Sequence, residues 1–318
     1  MKNIVIGSNS DIAREWIKTK NKQENLEVTR MSRGDKEKNS TNRLIFNIGE
    51  YKTEIEINSL CQGCREFIGS EECCLIIFSW CGTPRSSRRN NSMYQINIYI
   101  MINTMRLIKN IEPTHIILIS SAGALYESNS RMIYKEDDRI KPTSEYGIQK
   151  SCFESKMEKL AEETNSELCI LRLATAYGYL DTGTGQGVVN QWCYDALSTG
   201  KIRIFNSPSS QINFISFKQI AEAIELAIQN KLKGIYNVGS NESTRLGELM
   251  EKIIMLTKNK MQLEIKQEDC IERYMNLNIE KFANATGKIF EANVIEDMAE
   301  VYNKITRKYY RTRRKGEN

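Results

Sequence analysis

The chain has 318 residues, with 45 Lys and Arg against 40 Asp and Glu, 40% apolar residues and 27% charged ones. These are globular values, which exclude disordered, collagen-like and fibrous chains and leave ample length to bury a core in one large domain or two modest ones. The net charge of +5 gathers at the end, where seven basic residues and one acid lie between Lys304 and Asn318 and leave the remainder close to neutral. Basic charge spread over a folded face would mark a nucleic-acid protein, so no nucleic-acid partner is expected. The basic end reads as a solvated helix end, with contact to an anionic membrane or partner as the sharper alternative. No apolar run approaches the ~20 residues of a membrane span, so no integral membrane segment is expected. Met1-Lys2-Asn3-Ile4-Val5-Ile6-Gly7 enters a strand-like run with no apolar leader or cleavage site. Nine cysteines spread over a long chain fit reduced thiols, and a cytoplasmic protein is the expectation.

In the first half, strand patterns fall at Asn3–Gly7, Leu26–Arg30, Arg43–Asn47, Cys74–Ser79, His115–Ser120 and Glu167–Leu173. Each is short, rich in Ile, Leu and Val, and mostly apolar on both faces, as in parallel sheets covered by helices. Helical patterns at Asp11–Lys20, Asn58–Ile68, Asn91–Asn110 and Ser144–Thr164 alternate with them. The fold class expected is α/β, a Rossmann-type doubly wound parallel sheet with ligands at the carboxyl ends of its strands. After about Ala174 the rhythm changes to a Gly-bearing loop, helix Val188–Leu197, strand Ile202–Phe205, helix Phe217–Gln229, strand Gly234–Val238 and helix Arg245–Thr257. This reads as a smaller C-terminal α+β substrate lobe over 175–318 with a basic tail. The dinucleotide domain then takes 1–174, with a return segment near 214–238.

Ile4-Val5-Ile6-Gly7-Ser8-Asn9-Ser10-Asp11-Ile12-Ala13 runs from a buried strand into a helix, the setting of a phosphate-binding turn. Gly7 supplies the tight turn, and Ser8, Ser10, Asp11 and Ile12 complete the expected contact; the plainer alternative is a turn capped by Ser10 or Asp11. The second strand ends in Arg30-Met31-Ser32-Arg33, with no acid until Asp35. A carboxylate there would bind a ribose 2′-hydroxyl, whereas Arg30, Ser32 and Arg33 suit a 2′-phosphate. NADP(H) is therefore expected ahead of NAD(H). Asn47, Ile48 and Asn97 are taken as further cofactor contacts.

The fifth strand runs out into Ser120-Ser121-Ala122-Gly123-Ala124-Leu125-Tyr126, and Ser144-Glu145-Tyr146-Gly147-Ile148-Gln149-Lys150 opens a long helix. Tyr146 and Lys150 stand four apart, on one helical face. Hydride chemistry at a carbinol needs a group that takes and returns a proton, and a phenol near ~10 serves once an ammonium stabilises its phenolate. Lys150 is expected to do that and to reach the nicotinamide ribose. Ser121 is expected to hold the substrate oxygen.

On these motifs the chain resembles the extended short-chain dehydrogenase/reductases, the NAD(P)-dependent epimerase/dehydratase group that modifies nucleotide sugars. Met93-Tyr94-Gln95-Ile96-Asn97-Ile98, Leu171-Arg172-Leu173-Ala174-Thr175-Ala176-Tyr177-Gly178 and Gly234-Ile235-Tyr236-Asn237-Val238-Gly239-Ser240 carry the likeness beyond Tyr146 and Lys150. The resemblance implies Tyr146 as acid/base, Lys150 as its tuner and Ser121 as the positioning hydroxyl. It further implies a nucleotide-sugar substrate met by Ser120, Ala122, Tyr177, Gln186, Val188 and Arg273, and a homodimer formed through the helices Asn91–Asn110 and Ser144–Thr164.

Departures narrow the reaction. The family's Ser or Thr four residues before Tyr126 is here Ala122, and Ser121 lies one place earlier. Ala122-Gly123-Ala124 lacks the acidic pair of the dehydratases, so dehydration is not expected. The family's Ala-rich segment reads Phe78-Ser79-Trp80-Cys81-Gly82, and its small-lobe Arg is replaced near Gln211-Ile212-Asn213-Phe214. The resemblance implies Arg273 as the second diphosphate Arg. The reading leans to an NADPH-dependent 4-ketoreductase, with a nucleotide-sugar 4-epimerase and a non-catalytic dinucleotide-binding regulator as alternatives. Trp80 and Trp192 read as buried aromatics. One His, His115 at a strand start, leaves no His-based triad or metal site. Cys61, Cys64, Cys73 and Cys74 read as structural thiols rather than zinc ligands, since neighbouring strand residues point to opposite faces.

Overall fold

The computed structural model describes residues 1–29, 42–82, 91–127, 133–179, 187–258, 260–265 and 272–316. Its strands and α-helices begin with β1 (Lys2–Ile6), α1 (Asp11–Ile17), β2 (Asn25–Thr29), β3 (Arg43–Ile45), α2 (Glu54–Ile68), β4 (Cys73–Ile77) and α3 (Asn91–Ile111). They continue with β5 (His115–Ser121), α4 (Ala122–Leu125), β6 (Ile133–Tyr134), α5 (Glu145–Glu163), β7 (Glu167–Leu173), β8 (Thr175–Tyr177), α6 (Val188–Ser198) and β9 (Lys201–Ile204). There follow β10 (Gln211–Ser216), α7 (Phe217–Gln229), β11 (Gly234–Val238), β12 (Ser243–Arg245), α8 (Leu246–Leu256), β13 (Gln262–Ile265), β14 (Tyr274–Leu277), α9 (Glu280–Thr286) and α10 (Val294–Gly316). Two compact units share these elements. One takes Met1–Leu125, Ile140–Arg172 and Ile220–Tyr236; the other takes Tyr126–Arg139, Leu173–Gln219 and Asn237–Asn318. Residues 126–139 belong to the second unit, and 220–236 return to the first.

The first unit is built on a seven-stranded sheet in the order β11-β7-β5-β4-β1-β2-β3. β1 pairs in parallel with both β2 and β4, and β4 with β5. Alternate strand residues explain the covering layers. Ile4, Ile6, Leu75, Ile77, Ile116 and Leu118 pack in one cluster with Ile57 and Leu60 of α2, Leu107 and Ile108 of α3, and Phe153 and Met157 of α5. The intervening Val5, Ile76 and Ile117 are fully buried as well, so the sheet is covered on both sides, as its two-faced apolar runs predict. α2 starts four residues ahead of the expected Asn58 because Thr53 and Glu56 form a capping box.

The second unit holds the sheet β12-β10-β14-β6 with β8 on β10, and the pair β13-β9. Its core joins Trp192, Phe214, Leu249 and Ile253 to Val294, Met298, Val301 and Ile305 of α10. The stretch from Lys304, read as a solvated helix end, is thus the continuation of a docked helix whose apolar stripe begins at Val294. Among the described residues no helix is long and apolar enough to cross a membrane.

Candidate active site at the strand ends

β1 leads into a turn set by Gly7, whose φ is +84°. A Cβ there would lie 2.7 Å from the Ser79 nitrogen, so only glycine lets this turn pass the loop after β4. Ser10 caps α1, its hydroxyl accepting from the Ala13 N–H at 3.1 Å, and Asp11 and Ile12 open the helix. The capping expected as the plainer alternative is present. Ser8 is different: it is 2% exposed, and its Oγ has no hydrogen-bond partner among the described residues. Arg30, Ser32 and Arg33 lie outside the described residues.

The loop after β4 is pinned by Asn97 of α3. The Cys81 N–H donates to Asn97 Oδ1 at 2.8 Å, and Asn97 Nδ2 donates to the Cys81 carbonyl and to Gln149 Oε1. Gln149 in turn donates to the Tyr94 carbonyl. Asn97, expected at the cofactor, therefore has its amide engaged within the protein and ties the loop to α3 and α5. Asn47 behaves similarly, donating to Glu50 Oε1 and accepting from the Gly49 N–H. Ile48 is buried, and its carbonyl accepts from Asn103 Nδ2.

α5 places the central pair. Ser144 caps it, accepting from the Gly147 N–H at 3.1 Å. Gly147 permits close packing on α4, since a Cβ would stand 2.2 Å from the Ala124 carbonyl oxygen. Tyr146 and Lys150 share one face, as the spacing predicts. Lys150 is 6% exposed, and its Nζ donates to the Ile119 carbonyl at 2.8 Å while lying 4.5 Å from the centre of the Trp80 ring. Trp80, half-buried, meets Tyr146 edge-on at 6.4 Å and stacks on Phe153 at 5.5 Å. Burial pulls Lys150 down to about 7, against the opposing charge of Glu154, and pushes the Tyr146 phenol up to about 12. Desolvation favours the neutral form of both groups, and the amine is bonded to the Ile119 carbonyl.

Glu154 stands one turn beyond Lys150. It forms a buried pair with Arg172 of β7 at 2.8 Å, both side chains being 5% exposed or less. Spacing alone does not single out this pair, although residues 146, 150 and 154 share a face.

Ser120 and Ser121 end β5, and alternation sends their side chains to opposite faces. Ser120 shares the face of Ile116 and Leu118, the one α5 covers. It is 4% exposed, with an unpartnered Oγ among the described residues. Ser121, the expected hydroxyl, is half-buried on the other face. Ala122 is fully buried at the start of α4.

Three buried polar atoms without a partner among the described residues, Ser8 Oγ, Trp80 Nε1 and Ser120 Oγ, therefore lie at or just past the carboxyl ends of β1, β4 and β5, neighbours in the sheet. Each such group costs roughly 1–3 kcal/mol while it lacks a partner. A polar ligand is favoured there, beside the point where strand order reverses and nucleotides bind. The residues present fit a dinucleotide.

In the second unit, Tyr177 is buried and its hydroxyl donates to Asp297 at 2.8 Å; burial and that carboxylate push its phenol up. Val188 opens α6, and Arg273 is exposed just before β14. Gln186 lies outside the described residues. Asn213, within the stretch where the resemblance expects an Arg, is buried and pins the turn after β11 through Ser240 and Glu242. His115 bonds the Leu232 carbonyl and is pulled down by burial. Cys61, Cys64, Cys73 and Cys74 are buried, and burial pushes Cys73 up to about 12.

A family model described as the NAD dependent epimerase/dehydratase family matches residues 5–239. A dTDP-4-dehydro-6-deoxyglucose reductase of Escherichia coli is 30% identical over 140 residues, 43% of this chain and 44% of the relative. A protein of Methanocaldococcus jannaschii named "Putative UDP-glucose 4-epimerase" is 26% identical over 159 residues, 50% of this chain and 52% of the relative. The chain thus spans about half the length of the curated relatives it matches. In fold it is similar to the UDP-glucose 4-epimerase of Thermus thermophilus in complex with NAD, with TM-score 0.79 and 17% identity over 96% of this chain and 99% of that one. The family match runs from the end of β1 through β11 and takes in the seven-stranded sheet, and on it the chain belongs to the NAD dependent epimerase/dehydratase family.

Proposed function

We propose that the protein reduces the C4 keto group of a nucleotide-activated hexose, with NADPH preferred to NADH. The observation that carries this reading is the Tyr146 and Lys150 pair on one face of α5, with Lys150 bonded to the strand end that also presents a Ser120 hydroxyl unpartnered among the described residues. The Gly7 turn and Ser8 would hold the dinucleotide's phosphates at the strand ends, and its reduced nicotinamide would supply hydride to the carbonyl carbon. Tyr146 gives its phenolic proton to the carbonyl oxygen, so the ketone becomes a secondary alcohol. Lys150 stabilises the phenolate left behind, and Ser120, in place of the expected Ser121, holds the oxygen by a hydrogen bond. The 2′-phosphate preference rests on Arg30, Ser32 and Arg33 in the sequence after β2. The likeness to the Escherichia coli reductase supports reduction.

The likeness to the Methanocaldococcus jannaschii protein favours a second reading, 4-epimerisation, in which hydride leaves and returns on opposite faces of the sugar. Absorbance of NADPH with a panel of nucleotide 4-keto sugars and hexoses separates the two. Stoichiometric oxidation is expected; isomer interconversion without net oxidation would replace reduction by epimerisation. Tyr146→Phe is expected to lower either activity by about 10²–10⁴-fold, and undiminished turnover would refute both. Tighter binding of NADH than NADPH in a competition titration would overturn the cofactor preference. Exposed Tyr94 and Ile102 on α3 and Ile148 on α5 support pairing with a second copy, which sedimentation velocity tests.

A further inference from the structure

We infer that Trp80 is a positioning residue for the reacting pair: its indole face holds the Lys150 ammonium against the Ile119 carbonyl while its ring stands edge-on against Tyr146. The inference rests on the reading of Tyr146 and Lys150 as that pair. Three side chains on one stripe of α5, at positions 146, 150 and 153, hold the indole. Tyr146 meets it at 89° between planes, Lys150 lies 4.5 Å from the ring centre, and Phe153 stacks at 16°. The Trp80 N–H has no acceptor among the described residues, so ring contacts rather than a hydrogen bond decide its seat. The loop that carries it is fixed independently, by both bonds between Cys81 and Asn97 and by the link from Asn97 to Gln149 of α5.

A lysine amine sits on a flexible four-carbon stem with three donors, and its direction must be set by its surroundings. Here the Ile119 carbonyl takes one donor and the ring face attracts the charge, which restricts where the remaining donors can point. The groups that act on Lys150 are Glu154 on its own helix, the Ile119 carbonyl from β5 and the Trp80 ring from the loop, with Tyr146 against the same indole. From α3 comes the neutral Asn97 through Gln149, and from β7 comes Arg172, paired to Glu154. Burial favours the neutral amine, whereas Glu154 favours the ammonium. A small residue at position 80 would leave Lys150 without its aromatic neighbour.

The experiment begins with the free protein. Protonation of an amine over an indole changes its emission, so the tryptophan fluorescence is expected to titrate with a midpoint near about 7. That titration is expected to vanish in Lys150→Met and in Trp80→Phe, which removes the indole while keeping an aromatic ring. No titration in the unmodified protein, or one that survives in Lys150→Met, would overturn the inference. Activity adds a second readout. Trp80→Leu, apolar but without a ring face, is expected to lower the midpoint of the pH–rate limb by roughly one unit, and Trp80→Phe, which keeps a ring face, to leave that midpoint in place. An unmoved limb in Trp80→Leu would mean that residue 80 merely fills space. If no nucleotide sugar is turned over, the emission titration still decides the contact, so failure of the reaction reading and failure of this inference remain distinguishable.

Discussion

Replacing Arg172 by Met is expected to destabilise the protein by about 3–5 kcal/mol, the usual cost of orphaning one partner of a buried ion pair. Arg172 Nη2 lies 2.8 Å from Glu154 Oε2, and Nε lies 3.3 and 3.2 Å from the two carboxylate oxygens. With side chains 5% and 4% exposed, water screens neither charge. Loss of the guanidinium leaves a carboxylate in an apolar layer, one helical turn beyond Lys150, whose ammonium Glu154 already favours. Removing both charges, as in Glu154→Gln with Arg172→Met, eliminates the uncompensated group. The double variant is therefore expected to be more stable than the sum of the singles by about 2 kcal/mol. Urea unfolding followed by circular dichroism measures all four corners of the cycle. An Arg172→Met variant within about 1 kcal/mol of the parent, or strict additivity, would refute the argument from burial.

Ser120→Ala is expected to lower turnover while leaving stability equal or higher by about 1 kcal/mol, because it removes a buried hydroxyl without a partner among the described residues; Ser121→Ala should affect turnover less, and parallel kinetics and unfolding check the contrast. Gly147→Ala, although alanine is the better helix former, should destabilise by about 1–3 kcal/mol, since its Cβ would stand 2.2 Å from the Ala124 oxygen; unfolding midpoints measure it. Lys150 is drawn down to about 7 from an ordinary 10.5, so between those values the unfolded chain binds the extra proton and the fold does not. Stability should accordingly rise with pH above about 7, by up to roughly 1.4 kcal/mol per unit, and the slope should be absent in Lys150→Met. Flat or falling urea midpoints between pH 7 and about 9.5 would contradict this.

The parallel sheet was legible because strands such as Cys73–Ile77 are apolar on both faces, a pattern that needs no knowledge of partners. Two- and three-residue strands such as β6 and β8 carry no such period; β14 and β10 define them by pairing. α10 was hidden for another reason: its many charged residues mask the stripe Val294, Met298, Val301 and Ile305 that docks it. In the site, Tyr146 and Lys150 were readable because helical spacing alone puts them side by side. Trp80 over Lys150, Asn97 on Cys81 and Arg172 on Glu154 join segments far apart in sequence, and no local pattern announces them. The choice between Ser120 and Ser121 needed the register of β5 against its covering helix. The direction of both pKa shifts needed burial, which spacing does not contain.

The strand order of the seven-stranded sheet has a consequence for synthesis. β7 is complete at Leu173, yet its outer neighbour β11 begins only at Gly234. While the ribosome adds the intervening segment, the edge of β7 carries unsatisfied amides and carbonyls, the template on which nascent chains pair with one another. Chains released before β11 emerges are thus the ones most exposed to aggregation, and a translational pause past Val238 would protect them.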